Sequence, residues 1–150
     1  MTMALLAIMP VILVLLAVSA VFSAAETALT GVSRGRMHQL ERDGDRAAGR
    51  VNRLLAAQET MIGAILLGYN VINILASAIV TQVITKAVPG ARGVAIATGI
   101  IIVLVLVFVE VLPKTIAIVR ADNVARTLSA PMLIVSLSPL WKEPPRLARA

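Results

Sequence analysis

The chain has 150 residues, of which 59% are hydrophobic and 15% are charged, with 14 lysines and arginines against 8 acidic residues. Soluble domains average about 45–50% apolar and about 25% charged residues, so this composition indicates an integral membrane protein. The lack of cysteine and the single histidine, His38, exclude disulfides, thiolate metal sites and histidine-rich zinc sites. Neither a Walker-type nor a dinucleotide-binding glycine motif occurs in the sequence.

Three stretches without charged side chains are long enough to cross a bilayer. They cover residues 1–25, 60–85 and 93–109 and contain 25, 26 and 17 residues. A helix needs about 20 apolar residues to cross a hydrocarbon core of about 30 Å, and the third stretch reaches this length when it continues through Glu110. The sequence therefore predicts an all-α membrane fold in a single transmembrane domain, residues 1–150, with three spans at about residues 3–28, 60–85 and 93–113.

The first stretch has an alternative interpretation as a cleaved secretory signal, because Val18-Ser19-Ala20 resembles a small-residue cleavage site. However, no basic residue precedes the stretch, and its length exceeds the usual 7–15 or so apolar residues of a signal. We therefore interpret it as a helix of the mature protein.

The loop between the first two spans carries apolar residues at helical spacing, with arginines between them. These apolar residues are Met37, Leu40, Ala47, Val51, Leu54 and Leu55. The pattern predicts one or two amphipathic helices lying in the membrane interface, with a break at Gly44. A basic loop that serves only to orient the protein is the alternative interpretation, and the two are compatible.

Glycine and proline residues indicate two further features of the chain. Gly90, which follows Pro89, predicts a short turn between the second and third spans. A last uncharged run, residues 127–141, has 15 residues and contains Pro131 and Pro139. Because this run is too short to span, we expect it to be interfacial or partly inserted.

The basic residues are distributed unevenly among the connections. Six lie between the first and second spans and six follow the third span, whereas two lie between the second and third. This asymmetry predicts a cytoplasmic long loop and C-terminus and an external N-terminus. It also argues against nucleic-acid binding, because the basic residues flank apolar spans and are placed to face lipid headgroups.

Small residues in the second and third spans permit close approach of helices, and three helices bury little surface by themselves. These residues are Gly63, Gly68, Ala76, Gly93, Ala97 and Gly99. We therefore expect a homodimer that packs largely through these two spans.

Each span also carries polar residues, which are costly inside a bilayer and indicate function. The first has Ser19, Ser23 and Glu26 on one helix face, the second has Asn70, Asn73 and Ser77 on one side, and the third has Glu110 followed by Pro113 and Lys114. Pro113 cannot donate to the Val109 carbonyl. Hydroxyl, carboxamide, carboxylate and carbonyl oxygens favour Mg²⁺, Ca²⁺ or Na⁺ over zinc, copper or iron. The alternative is structural: hydrogen bonds between helices, a Glu110–Lys114 pair, and Pro113 as an ordinary helix end.

Three ordered motifs resemble the transmembrane domain of the CorC/CorB/cyclin M (CNNM) family of magnesium exporters. They are FSAAETAL at Phe22–Leu29, G-x-N-x-x-N-I-x-x-S at Gly68–Ser77 and F-x-E-x-x-P-K at Phe108–Lys114, and the resemblance covers about Val14 to Ser138. It implies an ion transporter rather than an enzyme, with three transmembrane helices and a juxtamembrane helical belt after the first. It further implies a homodimer in the plasma membrane that exports Mg²⁺ coupled to Na⁺ entry.

Carried over by motif, the resemblance implies that Ser23, Asn70 and Glu110 bind Mg²⁺ with help from backbone carbonyls. Ser19, Glu26 and Asn73 are the candidates to support these ligands or to bind Na⁺. Tyr69 stands where many relatives carry a second asparagine.

The family continues into a CBS-domain pair and a further soluble domain, so we expect this chain to represent the membrane part alone. A non-transporting anchor and dimerisation module, and a transporter of another divalent cation, remain alternatives.

Overall fold

Helices account for all the regular secondary structure in the part of the chain that the structure describes. The structure, a computed structural model, describes the backbone of residues 2–136 and the side chains of residues 8–136. In chain order the helices are α1 (Thr2–Gly31), α2 (Arg34–Arg42), α3 (Arg46–Ala56), α4 (Gln58–Ala87), α5 (Ala91–Leu104), a π-helical segment (Val105–Val111), α6 (Leu112–Val119) and α7 (Ala121–Ser136). The predicted all-α fold is confirmed.

Three of these helical stretches are long and apolar enough to cross a membrane, as predicted. They are Ile8–Gly31, Gln58–Ala87 and the continuous run Ala91–Val119. The third differs from the expected range, because it continues six residues beyond Pro113 instead of ending there. The uncharged run at 127–141 begins inside α7, and its residues 137–141 lie outside the described residues.

The helix passes Pro113 because the two turns before it change their winding. In the π-helical segment the Leu112 N–H donates to the carbonyl of Val107, five residues back rather than four. Pro113 then stands in the first turn of α6, where its missing N–H costs little. The predicted disturbance at Pro113 therefore takes the form of a π helix, a feature that often marks functional sites.

The loop after α1 folds into two amphipathic helices that break at Gly44, as predicted. Gly44 has a φ of +94°, a conformation that L side chains rarely adopt. Asp45 caps the following helix, because its carboxylate accepts hydrogen bonds from the backbone N–H groups of Ala47 and Ala48 at 2.8 and 3.3 Å. The apolar faces of α2 and α3 are buried, with Met37 and Val51 fully so. We call α2 and α3 the belt.

The core lies at the end of the spans that meets the belt. It joins the second half of α1 and the first turns of α4 with α6, α7 and the belt; its largest buried members include Leu29, Met37, Leu54, Met61 and Ile65. Elsewhere along the spans, large apolar side chains such as Val71, Ile74 and Ile102 are exposed. Such a surface requires lipid or another protein to cover it.

Several of the small residues pack inside the protomer. Ala76 and Ala97 are buried, and a Cβ at Gly93 would clash with the Val88 carbonyl oxygen in the α4–α5 turn. By contrast, a Cβ built at Gly63 or Gly99 would contact nothing among the described residues apart from the backbone of its own helix. Several of the small residues that we expected at a dimer interface therefore allow close packing within one chain instead.

Polar contacts tie α7 to the belt. Asp45 forms an ion pair with Arg126, Arg36 pairs with Asp122 at 3.2 Å, and the Arg50 Nε donates to the Oγ of buried Ser129 at 3.1 Å. Partial burial of the Asp45 carboxylate raises its pKa, but the Ala47 and Ala48 N–H donors and the Arg126 guanidinium outweigh this effect. The pKa of Asp45 is consequently below its ordinary value of 3.8.

This lowered pKa predicts a specific dependence of stability on pH. A carboxylate with a depressed folded-state pKa contributes stability that is complete above the unfolded-state pKa and lost as the pH falls through the folded-state value. When the pH is lowered from about 5 to about 3, the melting temperature of the wild type should therefore fall further than that of Asp45→Asn. This variant keeps the helix cap but not the charge. Asp43→Asn, at an exposed carboxylate two residues earlier, should follow the wild-type curve. Parallel curves for all three proteins would contradict the role of the Asp45 charge.

Candidate cation site

A hydrogen bond between α1 and α4 sets the register of the first two spans. The Ser19 hydroxyl donates to the Asn73 Oδ1 at 2.7 Å. One turn further along α1, the Phe22 ring packs over Gly68, where a Cβ would lie 3.1 Å from Phe22 Cε1. Because the two helices run in opposite directions, this register places Ser23 at the level of Asn70.

Ser23 is a buried polar residue of the first span. Ser23 is only 1% exposed, and its Oγ has no hydrogen-bond partner within the described residues. A buried polar group left unpaired costs about 1–3 kcal/mol, so such groups are rare and call for an explanation. An unpaired hydroxyl oxygen between two membrane helices is a suitable ligand for a cation.

The Asn70 side chain is oriented by its own helix. Its Nδ2 donates to the Leu66 carbonyl at 2.8 Å, one turn earlier in α4. This bond uses a donor of the carboxamide and not its oxygen, so Oδ1 is the end available to a cation. Asn70 itself is exposed in the protomer.

Glu110 lies in the π-helical segment and forms an ion pair with Lys114 across one turn. The Glu110 Oε2 lies 2.7 Å from the Lys114 Nζ, and the two side chains are 27% and 37% exposed. The phenol of Tyr69 on α4 and the carboxylate of Glu26 on α1 are close enough to interact electrostatically with this pair. Polar groups from all three spans therefore meet at the level of the π-helical segment.

The six sequence-predicted site residues divide into two groups. Ser19 and Asn73 bind each other, whereas Ser23, Asn70, Glu110 and Glu26 have no hydrogen bond to one another among the described contacts. No cluster of three or more histidine, cysteine or acidic side chains occurs within residues 8–136. The donor set is thus one or two carboxylates with neutral oxygens, which fits a hard cation.

Two residues near this site had a weaker signal in the sequence. Lys114 follows Glu110 at i, i+4 spacing, so their pairing was visible as the structural alternative. Tyr69 gave no signal of its own, because its proximity to Glu110 depends on how α4 packs against the third span. It occupies the position at which the resemblance leads us to expect an asparagine.

Comparison with known proteins supports the family resemblance of the three sequence motifs. The sequence profile of the cyclin M transmembrane N-terminal domain matches residues 10–140. The chain is 42% identical over 127 residues to the UPF0053 inner membrane protein YfjD of Escherichia coli, which covers 83% of this chain and 29% of that protein. It is 39% identical over 115 residues to a UPF0053 protein of Haemophilus influenzae, covering 77% of this chain and 27% of the relative.

A plant relative extends the comparison. The chain is 37% identical over 129 residues to a chloroplastic DUF21 domain-containing protein of Arabidopsis thaliana, covering 85% of this chain and 19% of the relative. The chain thus spans less than a third of the length of each of these relatives. The profile match over most of the chain, together with the three membrane helices, confirms the resemblance noted from the motifs. The chain belongs to the cyclin M (CNNM) transmembrane domain family.

Proposed function

We propose that this chain is the membrane domain of a plasma-membrane exporter that moves Mg²⁺ out of the cell in exchange for Na⁺. In this proposal Mg²⁺ binds to Ser23, Asn70 and Glu110, with backbone carbonyls completing its coordination. The observation that carries the proposal is the buried Ser23 Oγ, which has no hydrogen-bond partner among the described residues.

The chemistry of Mg²⁺ suits this donor set. The ion requires near-octahedral oxygen ligands at about 2.0–2.1 Å and gives up its water reluctantly. A hydroxyl, a carboxamide and a carboxylate supply three oxygens, and the carboxylate offsets part of the cost of dehydration. The remaining positions would be filled by backbone carbonyls near the π-helical segment or by retained water.

The energetics of export support coupling to a second ion. Moving two positive charges outward against an inside-negative potential costs roughly 2 × 2.3 kcal/mol per 100 mV. A passive pore would therefore admit Mg²⁺, and the sequence carries no glycine-rich ATP-binding motif. We propose that inward Na⁺ drives an alternating-access cycle, with Ser19, Glu26 and Asn73 as the residues that support the Mg²⁺ ligands or bind Na⁺.

Efflux from proteoliposomes tests this proposal. Vesicles loaded with Mg²⁺ and an indicator dye should lose Mg²⁺ when Na⁺ is supplied on the opposite side, and should retain it when K⁺ replaces Na⁺ at equal concentration. Equal loss in Na⁺ and K⁺ would contradict the coupling. Faster loss of Ca²⁺ than of Mg²⁺ under the same conditions would favour a transporter of another divalent cation.

One observation favours a second function, that of a non-transporting anchor and dimerisation module. The Ser19–Asn73 hydrogen bond joins two spans as structural polar contacts in membranes do. The two functions differ in ligand binding: at a Mg²⁺ concentration about 100 times the Kd, a domain that binds Mg²⁺ gains about 2.7 kcal/mol of stability, whereas an anchor gains none. We propose that the protein is a homodimer whether it is an exporter or an anchor. A monomeric mass in several mild detergents would contradict this.

A further inference from the structure

We infer that Lys114 is a built-in counter-cation, which occupies Glu110 when the site holds no Mg²⁺ and which Mg²⁺ must displace in order to bind. This inference rests on the proposed function and assigns a role to a residue that lies outside the ligand set. It concerns the competition between an ammonium group and a metal ion for a single carboxylate.

The geometry places the ammonium on the carboxylate itself. The Lys114 Nζ lies 2.7 Å from the Glu110 Oε2, which is the length of a strong charge-assisted hydrogen bond. The Glu26 carboxylate and the Tyr69 phenol also act on Lys114. The ammonium therefore pairs directly with the carboxylate of Glu110 and lies within electrostatic range of a second carboxylate, that of Glu26.

A metal ion cannot share this arrangement. Mg²⁺ needs a carboxylate oxygen at about 2.0–2.1 Å, and an ammonium hydrogen-bonded to the same carboxylate would then lie a few ångströms from a divalent charge. Repulsion between two cations at such a distance is large where water is scarce. Binding of Mg²⁺ at Glu110 consequently requires Lys114 to leave.

Lys114 is able to leave. Its side chain is 37% exposed, and it lies one turn beyond Glu110, where its long apolar stem allows the ammonium to reach the interface. A divalent ion attracts the Glu110 carboxylate more strongly than the singly charged ammonium does, so it can displace Lys114. When Mg²⁺ departs, the returning ammonium neutralises Glu110, and the empty site does not carry an unpaired carboxylate inside the membrane.

Direct titration of the detergent-solubilised protein with Mg²⁺ tests the inference. Lys114→Met should bind Mg²⁺ about tenfold more tightly than the wild type, because the competing cation is gone. Lys114→Arg keeps the charge and should stay close to the wild-type affinity. Lys86→Met, at an exposed lysine in the last turn of α4, should not change the affinity. Unchanged or weaker binding by Lys114→Met would overturn the inference.

Two further variants keep the test decisive. If Lys114→Met does not fold, Lys114→Gln retains a hydrogen-bond donor without the charge and should also bind Mg²⁺ more tightly than the wild type. Glu110→Gln separates the two proposals. If it loses Mg²⁺ affinity while the Lys114 variants match the wild type, only the role of Lys114 is wrong; if it also leaves the affinity unchanged, the proposed Mg²⁺ site itself is wrong.

Discussion

Glu110→Gln should lower the affinity of the domain for Mg²⁺ at least tenfold and stop Mg²⁺ export. The substitution preserves the volume of the side chain but removes the negative charge that offsets the dehydration of the ion. In the wild type the Lys114 Nζ lies 2.7 Å from the Glu110 Oε2, so the substitution also leaves this ammonium without a counter-ion next to the site. Both effects act against a divalent cation, so this change should have the largest effect on transport.

The matched control is Glu59→Gln, which removes an exposed carboxylate in the first turn of α4. It should leave the Mg²⁺ affinity and the efflux rate unchanged. Titration of both variants and of the wild type under the same detergent and salt conditions makes the comparison. Equal Mg²⁺ affinity in Glu110→Gln and the wild type would remove Glu110 from the site.

Gly93→Ala should produce a large loss of stability. A Cβ at this position would clash with the Val88 carbonyl oxygen. That oxygen belongs to the backbone of the tight α4–α5 turn, where Gly90 already adopts a φ of +84°, so it cannot move aside as a flexible side chain would. Forcing extra volume into a packed site costs about 1–3 kcal/mol, and we expect the upper part of this range.

Gly35→Ala is the control for this prediction. Gly35 lies in α2, and a Cβ built there would contact nothing among the described residues apart from the backbone of its own helix. The change should therefore be neutral or should stabilise the helix by up to about 1 kcal/mol. Melting temperatures of the two variants in one detergent measure the difference. A Gly93→Ala variant as stable as the wild type would show that the α4–α5 turn is not confined as described.

The membrane helices and the belt follow from local features of the sequence. Runs without charge predict spans because the transfer of an ionised side chain into the bilayer is costly wherever the chain goes. The break at Gly44 follows from the backbone freedom of glycine, and the structure confirms it with a positive φ. The end of the third span was less predictable, since a proline normally disturbs a helix and only the winding of the preceding turns shows how the chain accommodates it.

The site divides in the same way. The sequence by itself determined which polar residues enter the membrane: Ser23, Asn70 and Glu110 are each visible as an oxygen donor within a span. Only the tertiary structure decided that Ser19 is paired with Asn73 whereas Ser23 has no partner within residues 8–136. It also decided that several small residues pack within the protomer. The physical reason is that composition and periodicity follow from each residue and its near neighbours along the chain. The pairing of polar groups, in contrast, depends on the register between helices that lie more than fifty residues apart.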